Sequence, residues 1–416
     1  MATPTSPAQI NGSLLVLNAG SSSLKFSLYH AIAIERGEPV ALGQGSVEWR
    51  AGQSVLAFTD AQGQVIEEHW PLPAEDSDPL EHLLPWIEAH TGGPLIAAGH
   101  RVVHGGSRRD VAALVDGTLL AELQALTPIA PLHQPLCMAP IRFLASRHPG
   151  LPQVACFDTA FHHTLDPLET LYGLPRQMTE DGVRRYGFHG LSYEYIAGVL
   201  GQYDPAAAAG RTIVAHLGNG ASLCALHTGR SRATSMGFTT LDGLLMGSRP
   251  GHLDPGILLY LMRERGMSAQ ALEHLLYHEC GLLGVSGGIS SDMRTLLASD
   301  HAAAHEAVSL YVHNVVREIG SFAAVLGGLD ALVFTGGTGE HAAPVRAAIM
   351  RGCAWLGLEF DEAANQSSAS RLSSARSPVR AWMIPTDEDR VIARHTLKLL
   401  PRPCSPVTPI DHEFPA

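Results

Sequence analysis

Three short glycine-rich turns, at residues 18–23, 218–222 and 336–340, each follow a run of apolar residues. Glycines there let backbone N–H groups converge on an anion with no side chain in the way. Taken singly, each reads more readily as a plain hairpin turn. Together, with Lys25, His216 and Asn219 among them, they point to a polyphosphate ligand. Neither G-x-x-x-x-G-K-[ST] nor G-x-G-x-x-G occurs, so the P-loop and dinucleotide fingerprints do not describe these turns. Lys25 is set apart in another way. Of 28 basic residues only Lys25 and Lys398 are lysines, so a lysine beside the first turn stands out.

The elements that must hold these turns alternate between strands and helices. Residues 14–17 read as a buried strand that breaks at the first turn and resumes at 25–29. The same grammar returns at 212–217 and 222–227, an offset of 198 residues from 14 to 212. That recurrence predicts two halves built on one plan. Apolar residues at 308, 312, 315, 316, 319, 322, 323 and 326 follow helical spacing over 305–326, and Gly327-Gly328 stops the run. A strand at 331–335, a sharp turn at 336–339 and a helix at 344–350 come next. Serine-rich 367–377 reads as a surface loop, 1–12 as a loose lead-in and proline-rich 401–416 as a loose tail. The mixture predicts an α/β fold.

A chain of 416 residues exceeds one compact core and predicts two domains. The hydrophobic share of 45% and charged share of 16% fit an ordinary globular protein. A net charge of -12 argues against nucleic acid or an anionic membrane as the main partner. The uncharged stretches at 123–141 and 212–229 are broken by proline or glycine and do not read as spans. Cys137, Cys156, Cys224, Cys280, Cys353 and Cys404 form no C-x-x-C pair and read as reduced, buried thiols. With no signal-peptide pattern at the start, the expectation is a cytoplasmic protein. The 22 histidines show no ligand spacing that would suggest metal storage.

Two segments carry a specific resemblance. Asn18-Ala-Gly-Ser-Ser-Ser-Leu-Lys25 and Tyr186-Gly-Phe-His-Gly-Leu-Ser192 resemble the two signatures of the acetate kinase family. Further matches run in family order at residues 100–106, 157–161, 216–222, 246–249, 334–337 and 385–388. The resemblance covers nearly the whole chain. It implies the two-domain, ribonuclease H-like fold of the acetate and sugar kinase, heat-shock-protein and actin superfamily, with a nucleotide cleft between duplicated domains. The expected limits are 12–160 plus 385–400 for the first domain and 161–384 for the second. The family is homodimeric and uses ATP or ADP with magnesium, manganese being an alternative.

The implied chemistry explains the residue types. A carboxylic acid is already ionised at neutral pH, so phosphorylating it needs no general base. The obstacle is two anions approaching each other, which cations and positioning must overcome. The resemblance assigns Arg101 and Arg249 to flank the transferring phosphoryl group, since a guanidinium can bridge two oxyanions. It assigns His189 as a donor to that group, Asp158 to orient the site, and Asn18 and Glu388 to the metal side, with Asp158 assisting. Val103, Leu132 and Phe188 map to a small apolar pocket for the acyl group, with His133 beside it; plain core is their other reading. The nucleotide side would take Lys25, His216, Leu217, Gly218, Asn219, Gly220, Asp292, Met293, Arg294, Gly336, Gly337, Thr338, Gly339 and Glu340.

The chain departs from the family pattern in several places. Tyr193 stands where histidine is common, Gln134 where asparagine is, and Pro250-Gly-His252 where Ser-Gly-Asp is. Thr240 replaces a proline near the acyl pocket. These changes leave the charged groups in place and leave the acyl chain open, so propionate or butyrate are alternatives to acetate. A further alternative is an ATP-driven switch protein of the same fold, against which Arg101, His189 and Arg249 argue. Such a switch has no carboxylate to neutralise.

Overall fold

The computed structural model describes residues 12–20, 23–30, 38–50, 53–71, 79–91, 93–108 and 110–400. Ser21 and Ser22 of the first turn, most of the lead-in, and the tail 401–416 with Cys404 lie outside them.

Two sheets carry the architecture. The first runs β5-β4-β3-β2-β1-β6-β8-β7, from β1 (Ser13–Ala19), β2 (Ser23–His30), β3 (Ala41–Arg50), β4 (Gln53–Asp60), β5 (Val65–Pro71), β6 (Leu95–Val102), β7 (Ala112–Leu114) and β8 (Gln153–Phe157). The second runs β11-β10-β9-β12-β13, from β9 (Arg211–Leu217), β10 (Ala221–His227), β11 (Arg230–Thr234), β12 (Ala331–Thr335) and β13 (Arg380–Met383). The central five strands of the first sheet and all five of the second share one plan. In each, the opening strand pairs antiparallel with the next and parallel with a later one. β1 starts at Ser13 and β9 at Arg211, the offset of 198 visible in the sequence.

Nine helices matter below: α1 (Leu80–Thr91), α2 (Gln134–Arg147), α3 (Gly190–Tyr203), α4 (Pro255–Glu264), α5 (Met293–Leu297), α6 (Ala302–Leu326), α7 (Gly336–His341), α8 (Ala343–Gly352) and α9 (Glu388–Leu399). β1 is apolar without alternation because both its faces are covered. Leu15 and Leu17 pack towards Leu83, Trp86 and Ile87 of α1, whereas Leu14 and Val16 pack with Val391, Ile392 and Leu397 of α9. β9 repeats the scheme: Ile213 and Ala215 share a core with α6, and Val214 shares one with Tyr193, Ile196 and Leu200 of α3. Leu191, also on α3, belongs to the core under α9, so α3 spans the two halves. None of the helices among the described residues is long and apolar enough to cross a membrane.

The helix expected at 305–326 is α6, and Gly327 ends it in the left-handed conformation at φ 70°. Two local expectations change. Residues 336–339 are the first turn of α7, directly on the end of β12, rather than an open turn. Serine-rich 367–377 is not a free surface loop. Leu372, Ser373 and Ser377 are buried, and Arg371 and Ser373 form β-bridges with Trp382 and Phe360. Cys137, Cys156, Cys224 and Cys353 are buried free thiols, and Cys280 is half-buried.

Candidate active site

The inner parallel strands of the first sheet end together, and their ends carry the charged residues. β1 and β6 pair Leu17 with His100, so the next residues, Asn18 and Arg101, are neighbours. β8 pairs Phe157 with Val102, which brings Asp158 to the same edge. Arg101 Nη2 donates to Asp158 Oδ2 at 2.6 Å, and its Nε donates to Oδ2 and Oδ1 at 3.1 and 3.3 Å. Arg101 Nη1 donates to Asn18 Oδ1 at 3.3 Å, and Glu388 Oε2, from the first turn of α9, lies 3.7 Å from Nε. Burial pushes the Asp158 carboxyl up, Arg101 pulls it down, Glu388 pushes it up again, and the net direction is up. This corner therefore gains from a further cation. Glu388 and Asn18 are hard oxygen donors less committed to Arg101 than Asp158 is. Among the described residues no group of three His, Cys, Asp or Glu side chains forms a metal cage. A small oxygen-seeking ion that shares its shell with water and phosphate suits such a site.

The matching edge of the second sheet supplies donors. β9 and β10 are joined by a turn in which Gly218 N donates to Gly220 O at 3.1 Å. His189, the N-cap of α3, has φ 58°, a conformation that costs a non-glycine residue energy and is kept where its surroundings enforce it. Its Nδ1 lies 2.8 Å from Ser222 Oγ, and its ring stacks on His216 at 4.3 Å between centroids. His216 Nδ1 in turn bonds Ser192 Oγ at 2.8 Å. Burial holds both rings neutral. His216 is pushed down to about 4, and His189 falls well below the usual range through burial and the charges of His216, Arg101 and Arg249.

Arg249 closes the site. A β-carbon on Gly220 would stand 2.7 Å from Arg249 Nη2 and 3.6 Å from His189 Nε2, so the two side chains converge over that glycine. Arg249 Nη1 donates to the Thr240 carbonyl at 2.8 Å, and among the described residues no carboxylate pairs with it. Burial pulls it down to about 10, opposed by Tyr277, so it stays charged at neutral pH. Arg249 is half-buried; a cation withdrawn from water without a counter-ion is costly, and an arriving anion relieves it. Gly190, next to His189, donates its N–H to the carbonyl of Asp158 at 2.9 Å, so the histidine that meets Arg249 adjoins the residue that holds Arg101.

Two cavities open beside this space. One, of about 720 Å³, is lined by Asn18, Lys25, Arg101, Val103, Leu132 and His133, with Cys137 and His278. The other, of about 550 Å³, is lined by Gly218, Asn219, Asp292, Met293, Arg294, Gly337 and Thr338. Asp292 caps α5 by accepting from Arg294 N at 2.7 Å, which fixes that wall.

Most residues singled out from the sequence fall into these groups, with four differences. Lys25 lies opposite Asn18 in the β1–β2 register and lines the first cavity, beside the turn at 18–23, rather than the one with the turns at 218–222 and 336–340. Gly220 lies beneath Arg249. Phe188 is sealed in the core at 1% exposure, in the same cluster as Val103, which itself lines the cavity. Leu217, Gly336, Gly339 and Glu340 brace the second cavity from behind. Gly336, at φ 77°, packs on the Leu217 backbone, and Glu340 Oε1 accepts from Gly336 N at 2.9 Å and Thr386 N at 3.3 Å. Sequence reasoning missed His278, Tyr311 and Arg346. Tyr311, on α6, lines the second cavity, and its buried hydroxyl has no partner among the described residues. Arg346, fully buried on α8, donates to the carbonyls of Gly339 at 2.9 Å and Glu340 at 2.7 Å, and thereby holds α7 in place.

The chain matches the model of the acetokinase family over residues 13–394. It is 53% identical over 399 residues to a protein named acetate kinase from Rhodopseudomonas palustris, covering 93% of this chain and 98% of the relative. Among solved structures it resembles a propionate kinase from Francisella tularensis, at 35% identity and a TM-score of 0.86, with 94% and 100% of the two chains covered. It also resembles the Porphyromonas gingivalis acetate kinase, at 33% identity and a TM-score of 0.82, with 93% and 99% covered. The strand plan, the paired arginines and these likenesses agree: the chain belongs to the acetokinase family.

Proposed function

We propose that the chain transfers the γ-phosphoryl group of ATP reversibly to acetate, forming acetyl phosphate and ADP, with magnesium bound at Asn18 and Glu388. The observation that carries this reading is Arg249, half-buried, with no carboxylate pairing it among the described residues, and meeting His189 over Gly220. An acetate oxygen attacks the γ-phosphorus, the bond to the β-phosphate oxygen breaks, and ADP keeps the electron pair. Acetate enters as an anion, so no side chain has to remove a proton. Arg101, held by Asp158, orients the carboxylate. Arg249 and the Nε2 edge of His189 face the equatorial oxygens, where their hydrogen bonds strengthen as charge spreads in the transition state. Magnesium would offset phosphate charge. Val103 and Leu132 bound the methyl group, and the cavity lined by Gly218, Asn219, Asp292, Arg294 and Gly337 takes the nucleotide.

The same reading makes residues 12–160 with 385–400 one domain and 161–384 the other, closing on the nucleotide as hinged kinases do. It also makes the enzyme a cytoplasmic homodimer. Support for a second copy comes from α4, no residue of which is buried and which exposes Ile257, Leu259, Tyr260 and Met262, an apolar face of the kind that interfaces cover. Propionate is the second acceptor. Thr240, whose carbonyl holds Arg249, replaces a rigid residue with a freer one, and one methylene is worth only about 1–3 kcal/mol in such a pocket. Thr240→Pro should therefore raise the acetate-to-propionate ratio of kcat/KM.

Trapping with hydroxylamine tests the assignment. Purified protein with Mg-ATP and a panel of acids should give hydroxamate from acetate first and propionate second. Hydroxamate from neither acid would overturn it.

A further inference from the structure

His189 presents Nε2 to the reacting space and Nδ1 to Ser222, so its usefulness depends on which nitrogen carries the proton. A neutral imidazole has one donor and one acceptor, and the partner of one nitrogen fixes the role of the other. Behind Ser222 stands a group that settles this. Tyr193 lies one turn along α3, its N–H bonded to the His189 carbonyl at 3.1 Å. That spacing places both side chains on one helix face. The Tyr193 hydroxyl forms a short hydrogen bond with Ser222 Oγ, which is itself 2.8 Å from His189 Nδ1. Tyr193 and Ser222 are both fully buried. The backbone of Ser222 is fixed in the β9–β10 ladder opposite His216, and the His216 ring stacks on His189. The histidine thus has little freedom to turn its other edge inward.

Three proton orders are open to this chain of three groups. In the first, His189 Nδ1–H donates to Ser222 and Ser222 donates to Tyr193, leaving the phenolic O–H buried without an acceptor. In the second, Tyr193 donates to Ser222 and Ser222 donates to Nδ1, leaving only a lone pair unused. In the third, Nδ1–H and the phenol both donate to Ser222 Oγ, leaving the serine O–H without an acceptor among the described residues. Phenol is the better donor and the poorer acceptor, and a buried donor without a partner is the costlier fault. The second order wins. We propose that Tyr193, acting through Ser222, is a positioning residue that holds His189 in the Nε2–H form and so aims a donor at the phosphoryl group.

The inference rests on the reading of His189 as a phosphoryl donor, but its test has a readout that does not. In protein labelled with 15N-histidine, with His189→Gln to identify the signal, the His189 resonances should show Nδ1 bare and Nε2 protonated. In Tyr193→Phe the Nδ1–H form should become populated, and kcat should fall about five- to tenfold with both KM values within twofold. Ser222→Ala should lose as much, and the double variant no more than Ser222→Ala alone, because both changes cut one relay. An Nδ1–H signal in the unmodified protein, an unaltered signal in Tyr193→Phe, or multiplicative losses in the double variant would overturn the proposal. Absence of phosphotransfer with the expected signals intact would instead remove the functional reading and leave the relay standing.

Discussion

Gly220 leaves open the space that the Arg249 guanidinium occupies: a β-carbon at 220 would stand 2.7 Å from the Arg249 Nη2 atom. The clashing atom is the end of a flexible side chain, so the fold can absorb a methyl group by moving the guanidinium. Gly220→Ala should therefore melt within a few degrees of the parent and yet lose at least tenfold in kcat. A variant that keeps its rate would show that Arg249 has room to spare.

Arg249 itself should be far less forgiving. Its removal takes away a transition-state donor, worth on the order of 10²–10³-fold in kcat. Arg249→Ala should show that loss with little change in KM. Arg249→Lys should recover little of it, because an ammonium cannot bridge two oxyanions as a guanidinium does. Steady-state kinetics that place the whole effect in KM would take Arg249 out of the chemical step.

Lys25 distinguishes the two cavities. It faces the space shared by Arg101, Val103 and Leu132, so Lys25→Ala should raise KM for the carboxylate several-fold more than KM for ATP. The reverse split would return Lys25 to the nucleotide side, where its position next to a glycine-rich turn first suggested it.

Acid should unfold this protein before it disables the chemistry. His100, His104 and His162 are buried, and burial pushes each down to about 4. In the unfolded chain each takes up a proton near 6.5. Between pH 6.5 and 4 the unfolded state therefore binds protons that the folded state refuses. Stability is full above that window and falls through it, by up to about 3 kcal/mol per histidine. Asp389, raised to about 6 by burial, opposes one histidine, since its folded form gains a proton first. Melting temperature should fall steeply from pH 6.5 to 4.5, whereas kcat from pH 6.5 to 8 should be flat for want of a base to titrate. A melting temperature constant across the acid range would contradict this.

What could be read from the sequence was what lies close in the chain. Residues 14–29 and 212–227 declare strand, turn and strand through apolar runs and glycines, and their recurrence announced the doubled sheet. Asn18, Arg101 and Asp158 could be named by resemblance, and the ends of three adjoining strands gather them. Long-range packing was not legible. Nothing near Arg346 says that its guanidinium holds carbonyls on α7, and Tyr311, outside the apolar stripe read over 305–326, has no local pattern that announces its place in the cavity wall. Composition misled at 367–377, where serines suggest solvent but Leu372 and the bridge from Arg371 to Trp382 bind the segment to the second sheet. The side on which Lys25 falls depends on its register opposite Asn18, which spacing alone does not give.

The central claim is that the γ-phosphoryl group passes to a carboxylate rather than to water. Phosphorus NMR of the purified protein with Mg-ATP and acetate tests this directly. ADP and acetyl phosphate should appear in equal amounts, acetyl phosphate should vanish when acetate is omitted, and EDTA should stop both. ADP accumulating with inorganic phosphate, at a rate indifferent to acetate, would contradict the account and leave an ATP-driven switch in its place.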